Sequence, residues 1–315
     1  MTATTPNQAD TGHYDYWPYH QRPKIRWPGG ARVALWVAPN IEFYELDPPA
    51  NPARAAWPHP SPSVPGYSIR DYGNRVGHMR QMQLLDKYGI RGSISLSTAL
   101  CTHHPEIIGM CRERDWEFFS HGIYNTRYTY GMSEAQERSM ILESIETIER
   151  HTGRAPAGYL APALSHSDHT LDLFAELGGI YSCDLFHDDQ PTPLQVRGGR
   201  RFASVPYSLE LNDTIAYVVN KIEPRRYGQM IMDSFDRLYA EGAESGTVMC
   251  IPTHNYQVSC PHRLKAFEEA LAHITSHGDV WLTTGREIAE HFLAHHHDGA
   301  LADIAARNAP PKEGN

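Results

Sequence analysis

Several patterns that would indicate a membrane, secreted or disulfide-linked protein are missing from this chain. It has no run of about 18 apolar residues, so we expect no transmembrane helix and no membrane partner. The first six residues are polar and lead into no apolar segment, which argues against a signal peptide and favours the cytoplasm. The five cysteines are scattered without a Cys-x-x-Cys pair, so we expect reduced thiols.

Positive charge and nucleotide-binding glycines are also scarce. The net charge of -9 and the pI of about 6.1 make nucleic acid a poor partner. The first predicted strand is not followed by Gly-x-Gly-x-x-Gly, and the chain has no Gly-x-x-x-x-Gly-Lys-Ser loop, which excludes the usual nucleotide sites. A serine elbow of the form Gly-x-Ser-x-Gly is absent as well. A small-molecule substrate remains the expected partner.

The chain does have a regular alternation of apolar strands and amphipathic helices. The strands are predicted over 31–38, 93–97, 116–120, 158–161, 180–183, 203–207, 247–251 and 280–282. Between them lie helical patterns such as 133–151, which opens with the capping pattern Ser133 to Gln136. This alternation is typical of a parallel sheet. We therefore predict an α/β fold, a distorted (β/α) barrel with about seven parallel strands.

Three segments are predicted around this barrel. Residues 1–30 carry many aromatics and form an extended N-terminal arm, residues 31–296 form the barrel, and residues 297–315 form a polar C-terminal tail. A loop over 47–66 contains seven prolines. Because the arm and the loop suit subunit contacts, we expect a homo-oligomer.

Polar, titratable side chains recur directly after the predicted strands. In a parallel barrel the carboxyl ends of the strands meet at one mouth, so these side chains should face one another. A single histidine at such a place is more often structural than catalytic, but the recurrence favours a site. The candidates are Asn40, Glu42, His121, Asn125, Ser165, Asp188, Tyr207, Asp213 and His254.

The residues leave the question of a metal open. Glu42, His121 and Asn125 are the obvious set for a divalent metal such as zinc, but the amide of Asn125 is a weak zinc ligand. The alternative is acid–base chemistry with no cofactor required. Glu42 or Asp188 would then activate water, while His121 and His254 would act on the scissile carbonyl.

Between residues 16 and 292 the chain resembles the polysaccharide deacetylase (NodB-homology) family, close to its branch of cofactor-independent allantoinases. The segments that carry the resemblance are 32–42, 71–77, 118–122, 188–191, 205–213 and His254. The resemblance implies a distorted (β/α) barrel and hydrolysis of a non-peptide C–N bond. It also implies, in usual members, a catalytic Asp and an Asp-His-His metal site.

This chain departs from the family pattern at those metal positions. The expected Asp-Asp pair corresponds to Asn40-Ile41-Glu42, the second metal histidine to Asn125, and the Arg-Pro motif after strand four to Ala161-Pro162. His121 and His254 match the pattern.

Three hypotheses follow from the residues and the resemblance. The first is a cytoplasmic hydrolase of a small cyclic amide, imide or ureide, or of a small N-acyl substrate, possible without a metal. The second is a zinc-dependent deacetylase of a sugar or amino sugar, and the third is an inactive barrel that only binds. Under the first, the catalytic residues are Glu42, His121, Asp188 and His254. The substrate would contact Asn40, Asn125, Ser165, Tyr207 and Asp213, the last also bracing a loop.

Overall fold

A computed structural model describes residues 11–51 and 61–309 of the chain. Nine strands form one sheet. They are β1 (Val33–Ile41), β2 (Ser93–Leu96), β3 (Glu117–Ser120), β4 (Gly158–Tyr159), β5 (Tyr181–Ser182), β6 (Thr192–Pro193), β7 (Ala203–Ser204), β8 (Thr247–His254) and β9 (Val280–Leu282).

The sheet curls into an incomplete barrel in which β1 pairs with three other strands. The strand order is β6-β7-β5-β4-β3-β2-β1-β8, and β9 pairs with the beginning of β1. All pairs are parallel except β6 with β7. The predicted distorted (β/α) barrel is thus confirmed, with an additional antiparallel strand of two residues that was not predicted.

Ten α-helices surround the sheet in the described part of the chain. They are α1 (Val64–Tyr72), α2 (His78–Lys87), α3 (Leu100–His103), α4 (Pro105–Arg112), α5 (Glu134–Thr152), α6 (Thr170–Glu176), α7 (Pro224–Gly242), α8 (Pro261–Thr275), α9 (Gly285–His295) and α10 (His297–Asn308). Ser133 caps α5 and Gln136 bonds back to it, as the sequence predicted. None of the described helices is long and apolar enough to cross a membrane.

Burial of β1 fixes the centre of the core. All nine of its residues are buried, because neighbouring strands flank it and helices or barrel interior cover its faces. Trp36 lies fully buried inside the barrel, where its indole N–H donates to the carbonyl of Pro206. This strand therefore holds the residue that follows it, Glu42, in a rigid position.

The prediction of a loop over 47–66 is wrong at its carboxyl end, because residues 64–66 belong to α1. Its central residues 52–60 lie outside the described part of the chain. Ser63 caps α1, and a π-helical turn (Gly73–Gly77) joins α1 to α2. The glycines of this turn allow close contact with Asn255, since a Cβ at Gly77 would lie 1.9 Å from its carbonyl oxygen. The turn thereby packs directly on the segment after β8.

The predicted polar tail from residue 297 is also wrong in its described part. Residues 297–308 form α10, which buries His297, Ala300 and Ile304. Trp17 of the N-terminal arm donates its indole N–H to Asp303 on this helix, at 2.8 Å. The segment is helical because its few apolar residues are spaced to face the body.

The described residues of the arm, 11–30, pack on the barrel. Trp17, Ile25 and Trp27 are buried, and Arg22 forms an ion pair with Asp188 at 2.6 Å. The arm therefore belongs to the hydrophobic core at this end of the barrel.

Candidate active site

Three strand ends bring together three of the predicted catalytic residues. Glu42 follows β1, His121 follows β3, and His254 is the last residue of β8. Asn40 of β1 pairs in register with His254, and Ile41 pairs with Leu96 of β2, which in turn pairs with Ser120. Parallel pairing thus aligns these carboxyl ends at one edge, as expected from the sequence.

The carboxylate of Glu42 is the centre of the site. Its Oε1 lies 3.3 Å from Nε2 of His121 and 3.6 Å from Nε2 of His254. Its Oε2 accepts hydrogen bonds from the hydroxyls of Tyr44 at 2.9 Å and Tyr256 at 3.1 Å. Each carboxylate oxygen therefore has two polar contacts.

Both histidines are oriented from behind by acceptors. Nδ1 of His121 lies 2.9 Å from the carbonyl of Leu160 and therefore carries a hydrogen. Nδ1 of His254 donates to Oδ1 of Asp213 at 2.7 Å, and Oδ2 of Asp213 accepts the backbone N–H of His254 and of Val258. Both rings consequently present Nε2 to Glu42.

Opposite charges set the protonation of this cluster. Burial favours the neutral carboxyl of Glu42, but His254 and His121 outweigh burial and hold its pKa well below the ordinary value. Burial likewise opposes a charged His254, yet Glu42 and Asp213 raise its pKa to about 10. At neutral pH the site therefore holds a carboxylate beside an imidazolium.

The sequence reasoning missed the two tyrosines and an arginine. Tyr44 and Tyr256 each lie two residues beyond Glu42 and His254, just after the ends of β1 and β8, and both donate to Glu42. The guanidinium of Arg70 on α1 stacks over the ring of Tyr44, with its Cζ 3.9 Å from the ring centroid. Proximity in sequence to Glu42 and His254 could have indicated the tyrosines, but not Arg70.

The predicted substrate contacts are largely engaged within the protein. Asn40 donates to the hydroxyl of Tyr207 at 3.0 Å, and Asn125 donates to Tyr44 while its Oδ1 accepts the N–H of Ala163. Ser165 is fully buried, where its hydroxyl donates to Pro162 and accepts from the N–H of Thr129. The structure thus assigns Ser165 to loop support and contradicts its predicted contact with substrate.

Asp188 does not reach the site, which contradicts its prediction as an alternative base. The backbone of Val248, at the beginning of β8, donates to the carbonyl of Asp189, whereas His254 ends that strand. Six residues of strand separate these points, which is about 20 Å. The segment after β5 returns to the amino end of the barrel, where Arg22 neutralises Asp188.

The predicted metal set offers a zinc ion only two of the three protein ligands that such a site needs. Two ligands of one zinc ion are at most about 4.2 Å apart, because each bond is about 2.1 Å. Oε1 of Glu42 and Nε2 of His121 lie 3.3 Å apart and meet this limit, but no described group of three His, Cys, Asp or Glu donors within 4.8 Å includes them. The remaining member of the predicted metal set, Asn125, has its oxygen engaged by Ala163.

Known proteins resemble the chain in both sequence and structure. Residues 69–181 match the polysaccharide deacetylase family. The peptidoglycan deacetylase of Helicobacter pylori is 28% identical over 254 residues, which cover 70% of this chain and 85% of that protein. The crystal structure of the PuuE allantoinase superposes with a TM-score of 0.80 at 28% identity, covering 88% of this chain and 95% of that one.

The family match, the barrel fold and the cluster of Glu42, His121 and His254 are consistent with one another. They confirm the resemblance predicted from the sequence and favour a hydrolase over an inactive barrel. The chain is therefore similar to the polysaccharide deacetylase family over residues 69–181, and it is a hydrolase that acts on carbon–nitrogen bonds.

Proposed function

We propose that the protein hydrolyses the C–N bond of a small cyclic amide, imide or ureide, or of a small N-acyl compound, without a metal ion. One observation carries this proposal. Glu42 and His121 contact each other at 3.3 Å, no further described His, Cys, Asp or Glu donor completes a group of three with them, and the oxygen of Asn125 is engaged by the N–H of Ala163.

The site supplies a base and an acid without a metal. Glu42 accepts a proton from water as the water oxygen attacks the carbonyl carbon, and the imidazole of His121 beside it stabilises the developing negative charge. His254 then donates its Nε2 proton to the leaving nitrogen while the C–N bond breaks. Asp213 stabilises the imidazolium before this transfer and keeps its Nδ1 hydrogen in place.

The predicted substrate contact that retains a free donor is Tyr207. Its hydroxyl accepts from Asn40 at 3.0 Å and from Asn212 at 3.5 Å, which leaves its own hydrogen without an acceptor in the described part of the chain. We assign this hydrogen to an oxygen of the substrate. Asn40 and Asn125 then position Tyr207 and Tyr44 respectively.

Burial supports a small substrate over a polymer. Glu42 is 4% exposed, His121 3% and His254 7%. A polysaccharide chain needs an open groove in which the catalytic side chains meet several sugar rings, whereas a small ring can be enclosed. The similarity to a PuuE allantoinase supports the ureide class, and allantoin itself belongs in the test panel.

A second candidate is zinc-dependent deacetylation of a sugar or amino sugar. It is favoured by the family match and by the similarity to a peptidoglycan deacetylase. It would require Asn125, whose oxygen is engaged by Ala163, or a water to complete the shell that Glu42 and His121 begin.

The compartment and assembly belong to the same proposal. All five cysteines are unpaired, and four of them are buried, which supports a reducing compartment such as the cytoplasm. Tyr16 is 86% exposed and Tyr19 44% exposed on the arm, which supports the proposed homo-oligomer.

The decisive experiment compares activity with metal content. Untagged protein is stripped with a chelator, analysed for metals, and assayed against hydantoins, imides, ureides including allantoin, and N-acetyl amino sugars, with and without zinc. We expect hydrolysis of a small cyclic or N-acyl compound at full rate in the stripped protein, and none in Glu42→Gln. Activity only on amino sugars and only with zinc would establish the second candidate instead.

A further inference from the structure

A second cluster of ligand-type side chains lies on the outer helices, away from the active site. Among the described residues, Asp236, His273 and His277 form the one group of three in which a donor atom from each lies within 4.8 Å of the other two. Asp236 belongs to α7 and His273 to α8, while His277 follows the end of α8 by two residues. The cluster therefore joins two neighbouring helices.

The imidazole of His277 presents a free ring nitrogen, and that of His273 lies against the carboxylate of Asp236. Nδ1 of His277 donates to the backbone carbonyl of His273 at 2.9 Å, so its Nε2 keeps a lone pair. Nε2 of His273 lies 2.7 Å from Oδ1 of Asp236. The two rings are 4.9 Å apart between centroids, because a separation of four residues places them on one side of the helix end.

Aromatic side chains hold these rings from the core side. The ring of Phe235 lies 5.9 Å from that of His273 and 5.0 Å from that of His277, and Tyr239 packs on His277 at 5.2 Å. Two turns earlier the helices are in close contact, since a Cβ on Gly228 would lie 2.6 Å from the carbonyl of Ala266. Packing between α7 and α8 therefore fixes the positions of the helices that carry the cluster.

The local charge favours a cation. His273 and His277 lie at the carboxyl end of α8, where the helix dipole is negative, and Asp236 adds a carboxylate. Two imidazoles and one carboxylate are a common donor set for zinc, with a fourth position open to water. Asp236 is 56% exposed and His273 31% exposed in their side chains, so an ion can enter from solvent.

We propose that Asp236, His273 and His277 bind a divalent transition metal ion of the zinc class that joins α7 to α8. Helices of such a barrel run opposite to the strands, so the carboxyl end of α8 lies at the barrel end remote from Glu42. The ion therefore stabilises the fold and takes no part in hydrolysis. This site is independent of the function proposed above.

The test compares two histidine pairs in untagged, chelator-treated, full-length protein. The double variant His273→Gln/His277→Gln removes the proposed ligands. Its matched control is His291→Gln/His295→Gln on α9, a pair with the same spacing and rings 4.6 Å apart but outside any three-ligand group among the described residues. Zinc binding is measured by titration calorimetry and by the unfolding temperature with and without zinc.

We expect the wild type and the control variant to gain several degrees in unfolding temperature with zinc, whereas the His273/His277 variant loses this gain and one equivalent of bound zinc. Asp236→Asn should weaken zinc binding at least about tenfold. In zinc-grown crystals, an anomalous peak should lie between the three side chains. Binding that persists in the His273/His277 variant, or is lost only in the control, overturns the proposal, as does a wild type that gains no stability.

Discussion

Asp213 binds His254 through both of its oxygens, one on the imidazole Nδ1 at 2.7 Å and the other on the backbone N–H at 2.8 Å. The side chain of Asp213 is fully buried, so its charge acts on the ring in a medium of low polarity. One carboxylate thereby fixes the position, the tautomer and the charge of the proposed general acid.

Replacing Asp213 by Asn should shift the alkaline limb of the pH–rate profile. The pKa of His254 is raised to about 10, so the imidazolium is present at neutral pH and is lost as pH rises through about 10. Without the charge of Asp213 this limb should move down by roughly 1–3 pH units. We expect kcat/KM to fall by up to about tenfold at pH 8 and by more at higher pH, measured as a full pH profile of kcat/KM.

The matched control for Asp213→Asn is a substitution at the other end of the barrel. Asp188→Asn also removes a buried carboxylate, but its partner is Arg22. It should lower the unfolding temperature without moving either limb of the pH–rate profile. An alkaline limb that stays near pH 10 in Asp213→Asn would remove His254 from the role of general acid.

The hydroxyl of Tyr256 should control the acidic limb. It donates to Oε2 of Glu42 at 3.1 Å, and a donor to a carboxylate favours the ionised form. The pKa of Glu42 is held well below its ordinary value, so activity that needs the carboxylate is lost only as pH falls through that low range. Tyr256→Phe should move the acidic limb to higher pH, as seen in kcat/KM between pH 3 and 7. An unmoved limb would show that Glu42 is not the base.

Glycine at position 77 should prove essential for activity. An added Cβ would lie 1.9 Å from the carbonyl oxygen of Asn255, the residue after His254. Gly77→Ala should therefore cost about 1–3 kcal/mol of stability and lower kcat by displacing the strand end. Gly109→Ala in α4 is the control, because its Cβ would meet no atom within 4 Å. That variant should gain about 0.5–1 kcal/mol and keep full activity.

The ion pair between Arg22 and Asp188 should contribute to the stability of the protein by attaching the N-terminal arm to the barrel. Their side chains are only 5% and 10% exposed, so loss of one partner leaves a buried charge. Arg22→Ala should cost about 3–5 kcal/mol in urea denaturation while kcat stays unchanged. The double variant Arg22→Met/Asp188→Leu should recover most of this stability. If it does not, the backbone bond of the guanidinium to Trp17 carries the effect.

The sequence predicted the parts of the site that follow from regular structure. Glu42, His121 and His254 follow apolar strands, and parallel strands bring such residues together. Asp188 also follows an apolar strand, but the direction of the chain after β5 depends on tertiary contacts of Asp189 with β8. Strand β6 has two residues, too few to show a period, and α10 has too few apolar residues to contrast with a tail.

Other features could not be predicted from the sequence because they join segments that are distant along the chain. Arg70 reaches Tyr44 from α1, a helix whose first three residues fall in the predicted proline-rich loop. Asp236 and His273 come from different helices, so their proximity depends on how α7 packs on α8. The metal question also needed coordinates, because it depends on whether a third ligand lies beside Glu42 and His121.

The stacking of Arg70 on Tyr44 connects α1 to the reacting carboxylate. The guanidinium has one N–H bonded to Gly66, while its buried Nε lacks a partner in the described part of the chain. Tyr44 in turn donates to Glu42, so two contacts separate Arg70 from the base. A ligand group that attracts the guanidinium would therefore alter the basicity of Glu42 without touching it, which lets recognition of one part of a substrate tune the rate of bond cleavage at another.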